Sequence, residues 1–217
     1  MSEEEKIVDR RGKQGFGGQM LISPLVSAAI VLVGLFAAYT LIRDAKKDHM
    51  DLVAALSKNN QEIVLLKVID ERVKAPMEVK VAMARTIITM STLKRLEIAT
   101  ICGIIEVETG STWKTDLTSS AGAVGIMQVM PATGKAYLRA ERIDPTKLAL
   151  LDPVNNIICG ISCLADFRDQ AQDLGLDKPG AYDVALAMYN QGPKARAATG
   201  YSKNVLEAMK RFKLLGL

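Results

Sequence analysis

Residues 119–131 read Ser119-Ser120-Ala121-Gly122-Ala123-Val124-Gly125-Ile126-Met127-Gln128-Val129-Met130-Pro131, a run of small residues followed by a hydrophobic step with one glutamine among methionines. Small side chains allow the backbone to approach a neighbouring segment or a ligand closely. Gln128 in apolar surroundings needs hydrogen-bond partners, which a sugar hydroxyl or amide would provide. Taken alone, a tight loop packed on the core is the simpler interpretation, so the neighbouring segments decide what this loop does.

Two acidic residues end the predicted apolar helix that precedes this loop, within Ile104-Ile105-Glu106-Val107-Glu108-Thr109-Gly110. Gly110 is the predicted left-handed cap of that helix. Glu106 and Glu108 point about 200° apart on a helix, so one can face solvent while the other faces the core or a cleft. A carboxyl group in apolar surroundings has a raised pKa, which suits a general acid near neutral pH. Two solvated acids at a helix end are the alternative, although an acid there opposes the helix dipole.

Helical signals continue to the C-terminus, and few segments show the period-two alternation of a strand. Asp152-Pro153 predicts a helix start, with an N-cap acid before proline at the first helical position. A buried helix is predicted over 181–188 and ends at Gly192-Pro193, and Ser202 is the predicted start of a last amphipathic helix. Residues 77–217 are about 140 residues, enough for one helical domain with its own core.

The N-terminal region predicts a membrane anchor. Residues 1–19 are polar and are interpreted as a flexible tail, whereas 20–42 contain no charged side chain. These 23 residues would span about 35 Å as a helix, enough to cross a bilayer. The alternatives to a membrane helix are a buried core helix and a cleaved signal peptide. A core helix that is apolar on all sides would be unusual in so small a protein. A signal peptide has a shorter apolar region and a cleavage site of small residues. A retained single-pass helix over 20–42 is therefore expected.

Residues 43–76 are charged and helix-prone, and they predict a helical stalk that ends at Pro76. The stalk either self-associates as a short coiled coil or packs on its own domain. Its apolar positions at helical spacing are Leu52, Leu56, Ile63 and Leu66. Four basic residues precede 20–42 and four follow it, so the positive-inside rule does not orient the segment.

The composition excludes several classes of protein. With 28 Lys+Arg, 24 Asp+Glu and a net charge of +4, the 217-residue chain is neither disordered nor a strongly basic nucleic-acid binder. Its single histidine, His49, excludes a His-rich metal site, and a Cys₃His zinc site would need His49 and all three cysteines. Cys102, Cys159 and Cys163 lie in apolar helical patterns, which favours small buried side chains over a disulfide.

Together these segments resemble the catalytic domain of lytic transglycosylases, the goose-type lysozyme-like group that cleaves bacterial peptidoglycan. That family carries Glu-Ser at a helix end, a Gly-Ala-x-Gly-Leu-Met-Gln-x-Met-Pro loop, an Asn-Ile-x-x-Gly helix and an Ala-Tyr-Asn-x-Gly turn. The resemblance covers roughly residues 94–212, and the loop is its most specific part. The matching segments, in the same order, are Glu108-Thr109, Ser119 to Pro131, Asn156-Ile157-Ile158-Cys159-Gly160 and Met188-Tyr189-Asn190-Gln191-Gly192.

Three departures from the family pattern stand out. Thr109 replaces the usual serine, and Cys163 stands where a tyrosine is common. The aromatic residue that usually lies three positions after the glutamate is here Trp113, five positions after Glu108. We infer a two-residue insertion in this loop, which leaves Glu108 as the family's acid.

The resemblance implies a mainly α, lysozyme-like fold and a reaction that needs one glutamate and no metal or cofactor. Glu108 would protonate the glycosidic oxygen between N-acetylmuramic acid and N-acetylglucosamine, then accept the proton of the sugar's 6-hydroxyl as a 1,6-anhydro ring closes. Tyr189 would orient Glu108 or the intermediate. If water attacked instead, Asp116 is the nearest candidate for a second acid. The substrate-binding residues that the resemblance implies are Thr109, Gly125, Met127, Gln128, Tyr189 and Asn190.

Two functions remain open at this stage. The first is a membrane-anchored peptidoglycan lytic transglycosylase that opens the wall locally, as phage entry, conjugation and secretion require. The second is a non-catalytic structural membrane protein of a virion or secretion channel that binds glycan through a lysozyme-like domain. A coiled-coil assembly factor built on residues 50–70 is a third, weaker hypothesis. The first two place the protein in a bacterial inner membrane or virion-associated membrane, with the C-terminal domain facing the periplasm or the wall. The expected partners are glycan strands, lipid through 20–42 and virion or secretion proteins, but no nucleic acid.

Overall fold

A computed structural model describes the backbone of residues 24–217 and the side chains of this range except 24–31, 34 and 49–59. The predicted tail over 1–19 and the first four residues of the predicted membrane helix lie outside the described residues. The mainly α prediction is confirmed, since no strand forms in the described range beyond isolated bridges at Val124. The helices are α1 (Pro24–Arg72), α2 (Met77–Lys94), α3 (Ile98–Glu108), α4 (Pro131–Ala140), α5 (Lys147–Leu151), α6 (Pro153–Asp173), α7 (Lys178–Gln191) and α8 (Gly200–Leu214).

The chain divides into two compact units, Met1–Val53 and Ala54–Leu217. In the first unit, apolar side chains with described positions are exposed, among them Leu32, Val33 and Phe36. Among the residues with described side chains, no helix combines the length and the apolar character needed to cross a bilayer. The membrane helix over 20–42 therefore stays a prediction.

The second unit is built around α3. Ile101, Cys102, Ile104 and Ile105 of this helix have no exposed surface. α3 packs against α8, while α6 packs against α2, α4 and α7. Burial of these apolar faces is the main favourable contribution to folding, and it explains why α3 is apolar on nearly every side. All three cysteines are buried and free, as predicted.

The end of α1 belongs to the core of the second unit. Leu65, Ile69 and Val73 are buried together with α2 and α3 residues, so the domain core begins before the predicted boundary at residue 77. Ile63 of the predicted stripe is instead 59% exposed. The prediction placed Ile63 on the buried face, whereas Leu65, two residues later, is buried. Because each residue turns a helix by about 100°, a shift of two residues moves the buried face to another side of the helix. This packing favours the alternative in which the end of the helix packs on its own domain.

Local capping signals were largely predicted correctly. At the end of α3 the Ser111 N–H bonds the Glu106 carbonyl at 2.7 Å and the Gly110 N–H bonds the Val107 carbonyl at 3.3 Å, which is a Schellman cap. Asp152 caps α6 and Pro153 is its first residue, as expected. The predicted start at Ser202 was two residues late. Thr199 is the N-cap of α8, and Ser202 completes a capping box with it.

Candidate active site

Glu108 is the last residue of α3, and its side chain is half-buried. Burial raises the pKa of its carboxyl from 4.5 to about 6, and a hydrogen bond from Tyr201 lowers it in part. The Tyr201 hydroxyl donates to Glu108 Oε1 at 2.6 Å. No cation pairs with Glu108 among the described residues. A carboxyl group with these properties can donate a proton near neutral pH.

Glu106 is in a different environment, although it lies only two residues away. It is buried, and its Oε2 accepts hydrogen bonds from Arg72 Nη1 at 2.5 Å and from Trp113 Nε1 at 2.7 Å. Both partners donate to the same carboxyl oxygen, and Arg72 adds an ion pair, so the Glu106 side chain is engaged within the fold. The structure therefore separates the two acids, and Glu108 is the one suited to proton transfer.

The side chain of Asn156 in α6 makes three hydrogen bonds to backbone groups in and near the loop before α4. Its Oδ1 accepts from the Met127 N–H at 2.7 Å, and its Nδ2 donates to the carbonyls of Val124 and Leu150 at 2.9 Å each. Gly125 lies directly against this amide at φ 81°, and a Cβ there would lie 2.2 Å from Nδ2. Gly125 is therefore required by the fold, which gives a structural reason for a residue that the sequence assigned to substrate binding.

Met127 and Tyr189 also differ from the roles assigned to them. Met127 is fully buried, and its side chain fills the space above Gly160, where a Cβ would lie 2.6 Å from the sulfur. Its carbonyl accepts a hydrogen bond from the Tyr189 hydroxyl at 2.9 Å. Tyr189 thus holds the loop and does not hydrogen-bond Glu108. The Met127 side chain packs in the core because an unbranched apolar side chain fits an irregular gap.

Thr109 likewise serves the fold. It is buried, its hydroxyl donates to the Ile105 carbonyl at 2.7 Å, and the same oxygen accepts from the Trp113 N–H at 3.0 Å. Thr109 is only 5% exposed and its hydroxyl is engaged in these bonds, so little of it remains for a sugar to contact. The assignment of Thr109 to substrate binding is therefore corrected.

Three of the six predicted substrate-binding residues, Gln128, Tyr189 and Asn190, line one cavity of about 290 Å³. The pKa of Tyr189 is raised well above its ordinary value, first by burial and then by the nearby Cys163 and Glu108. Glu108 itself is not among the residues that line this cavity. Asp116 lines a separate cavity with Arg72 and Trp113. The other lining residues include Met130, Thr133, Cys163, Phe167, Met188 and Gly192.

The tyrosine that contacts the acid, Tyr201, was missed in the sequence. It lies 93 residues after Glu108, in the first turn of α8. Only the packing of α8 along α3 brings the two together. The available signal was an aromatic hydroxyl beside a helix start, and it is too common to indicate a site.

The loop after Glu108 turns back on itself. Gly110, Ser111 and Trp113 have φ values of 57°, 65° and 52°, in the left-handed region. This path returns the Trp113 ring to the end of α3, where its N–H bonds Glu106. The two-residue insertion relative to the family pattern stays a prediction.

The sequence model of the transglycosylase SLT domain matches residues 85–210, more than half of the chain. The chain belongs to this family. The prediction of a lytic transglycosylase is thereby confirmed at the level of the family. A solved structure of an inactive mutant of the lytic transglycosylase Slt from Pseudomonas aeruginosa is similar to the SLT domain, with 22% identity and a TM-score of 0.48. The match covers 60% of this chain but 24% of that one, so the chain spans about a quarter of that protein's length. No curated protein matches the chain.

We expect Tyr201→Phe to move the pH dependence of the SLT domain. The Tyr201 hydroxyl lowers the pKa of Glu108, so its loss raises that pKa further. A general acid must be protonated in the free enzyme, so the alkaline limb of kcat/KM is expected to move to higher pH. Rates on purified peptidoglycan between pH 4 and 9 check this. Tyr182→Phe is the matched control, since the Tyr182 hydroxyl bonds Thr100 near the other end of α3, and an equal shift there would contradict the assignment.

Glu108→Gln is expected to stabilise the SLT domain at neutral pH. The folded pKa of about 6 lies above the ordinary 4.5, so ionisation opposes folding as pH rises from 4.5 through 6. Such a shift corresponds to about 1–2 kcal/mol of unfolding free energy gained by the variant at pH 7.5. Urea unfolding at pH 7.5 and pH 4 measures it. The gain should vanish at pH 4, and a gain of equal size at both pH values would show that ionisation is not its cause.

Proposed function

We propose that the SLT domain cleaves peptidoglycan between N-acetylmuramic acid and N-acetylglucosamine, with Glu108 as its only acid and base. One observation carries the proposal. A half-buried carboxyl group of raised pKa, that of Glu108, contributes to the raised pKa of Tyr189, which lines a cavity together with the amide side chains of Gln128 and Asn190. Amides and hydroxyls suit the hydroxyl and acetamido groups of these sugars.

The reaction needs two proton transfers through one side chain. Protonated Glu108 donates to the glycosidic oxygen as the bond between that oxygen and the anomeric carbon breaks. The resulting carboxylate takes the proton of the 6-hydroxyl, whose oxygen bonds the anomeric carbon and closes the 1,6-anhydro ring. No water is consumed, and Glu108 is protonated again at the end. Asp116, which lines another cavity, is not needed as a second acid.

The experiment is product analysis on purified sacculi. The full chain in detergent is incubated with sacculi, and the soluble fragments are separated and identified by mass spectrometry before and after borohydride reduction. Anhydro-muropeptides that resist reduction are expected. Reducing muramic acid ends would indicate hydrolysis by water, and sacculus binding without soluble fragments would indicate the alternative, a structural glycan-binding protein.

We also infer that residues 20–42 anchor the protein in a bilayer, with the SLT domain on the side of the wall. The uncharged length of this segment and its exposed apolar side chains, such as Leu35 and Leu41, support this. An anchored enzyme of this size suits local opening of the wall by a virion, a conjugation system or a secretion system. Carbonate-resistant membrane fractionation tests the anchor, and protease accessibility in intact cells or particles tests the side. Recovery of the full chain in the soluble fraction would contradict the anchor.

A further inference from the structure

A charged cluster lies at the end of α3, on the side away from Glu108. Glu106 is its centre, bound by Arg72 and by the Trp113 indole N–H. Arg211 of α8 lies 3.8 Å from the other Glu106 oxygen. The Arg72 guanidinium carbon lies 5.5 Å from the ring centres of both Trp113 and Phe212, which places the cation over two aromatic faces.

Four elements of the second unit meet at this cluster: the last turn of α1, the end of α3, the loop after it and the last turn of α8. Glu106 and Glu108 project from opposite sides of the same helical turn. α8 contacts both sides, with Tyr201 on Glu108 and with Arg211 and Phe212 at the cluster. The turn that carries the acid is therefore held on one side by α8 alone and on the other by α1 and α8 together.

Stability alone does not account for a buried carboxyl group in this place, bound by an arginine whose side chain is 35% exposed. Taking a charged carboxylate out of water costs several kcal/mol, and well-packed apolar residues in place of such a group are often neutral or stabilising. A charge pair with hydrogen bonds has a defined geometry, however, which apolar contacts lack. Arg72 lies outside the residues matched by the family model, which begin at residue 85. α1, which precedes the residues matched by the family model, thus contributes a hydrogen-bonded contact to the end of α3, the helix that bears Glu108.

We propose that Arg72, acting through Glu106, is a positioning residue that holds the last turn of α3 and keeps the Glu108 carboxyl half-buried. This inference rests on the proposed function, because it concerns the geometry of Glu108. It makes the end of α1 part of the catalytic unit. A segment that leads towards the predicted anchor is thereby joined to the turn that carries the acid.

The test uses the full chain with Arg72→Met, Arg72→Lys, Glu106→Gln and the double variant Arg72→Met with Glu106→Gln. Met keeps the length and apolar contact of the arginine stem on the two rings, and Gln keeps an acceptor for the indole N–H. Arg85→Met is the matched control, since Arg85 forms an exposed pair with Glu62 at 3.2 Å. Thermal unfolding followed by circular dichroism shows which variants are folded.

We expect Arg72→Met and Glu106→Gln each to lower kcat about tenfold with KM within about twofold, because a small displacement of a catalytic group is costly. The double variant should be no slower than the worse single variant, since the two residues act as a unit. Arg72→Lys should recover part of the rate. The alkaline limb of kcat/KM should also move to lower pH, since a loosened turn exposes Glu108 to water. Arg85→Met should change none of these quantities.

Recovery of wild-type kcat by the double variant would overturn the proposal, because only an unpaired buried charge would then have slowed the single variants. The proposal would also be overturned if the folded variants had a reduced kcat but an unchanged alkaline limb of kcat/KM. If Arg72→Met does not fold, Glu106→Gln and the double variant carry the same test. Failure of the proposed function is distinguished by two other results. Either the wild-type chain releases no anhydro product, or the Glu108→Gln variant keeps full activity.

Discussion

Glu108→Gln is expected to lower the rate of anhydro-muropeptide release about 10³-fold, within the range that general acid–base catalysis contributes. Glutamine has the same shape and can accept the Tyr201 hydrogen bond, but it has no proton to donate to a glycosidic oxygen. In the described part of the chain, no Asp or Glu is among the residues that line the cavity of Gln128 and Tyr189, so no carboxyl group in its wall can take over the transfer. Binding to sacculi should remain, because the cavity wall is unchanged. Initial rates with purified sacculi and co-sedimentation measure the two properties.

Glu141→Gln is the matched control for this change. Glu141 is an exposed glutamate at the end of α4, and its replacement should leave release and binding within about twofold of wild type. Retention of more than a tenth of the wild-type rate by Glu108→Gln would assign the acid to another residue. Loss of both activity and binding would indicate a disturbed cleft.

Asn156→Ala should produce the largest loss of stability among the changes considered, about 3–5 kcal/mol of unfolding free energy. The buried Asn156 amide satisfies the Met127 N–H and the carbonyls of Val124 and Leu150. Alanine leaves all three backbone groups without that partner and opens a cavity beneath Gly125. Each unsatisfied buried group costs about 1–3 kcal/mol, and relaxation or entering water recovers part of the sum. Urea unfolding at pH 7 measures the effect.

Asn155→Ala provides the comparison at the neighbouring position. Its side chain makes one hydrogen bond, from Nδ2 to the Ala149 carbonyl at 3.1 Å, so a loss of about 1 kcal/mol is expected. Equal destabilisation by the two variants would show that the Asn156 bonds are not what holds the loop. The same comparison reports on the cleft, because Asn156 positions Met127 and the Met127 carbonyl in turn accepts the Tyr189 hydroxyl.

The sequence alone predicted a mainly helical domain, the cap at Gly110 and the start of α6 at Asp152-Pro153. These features depend on local chemistry, which is apolar periodicity and capping residues. The choice of Glu108 over Glu106 as the candidate acid came from the family resemblance. Gln128, Tyr189 and Asn190, which the family resemblance assigned to substrate binding, line one cavity. Their role in binding a sugar stays a prediction.

The tertiary structure alone decided what each side chain of those motifs contacts. Thr109, Gly125 and Met127 lie within the segments that resemble the family motifs, yet each serves packing or backbone hydrogen bonds. Tyr201 and Arg72 reach the end of α3 from positions 93 residues after Glu108 and 34 residues before Glu106. Such contacts arise from the way whole helices pack, and a side chain's direction follows from small rotations of its helix that a sequence pattern does not specify. Local patterns therefore determined where the acid lies in the chain, and helix packing determined which residues surround it.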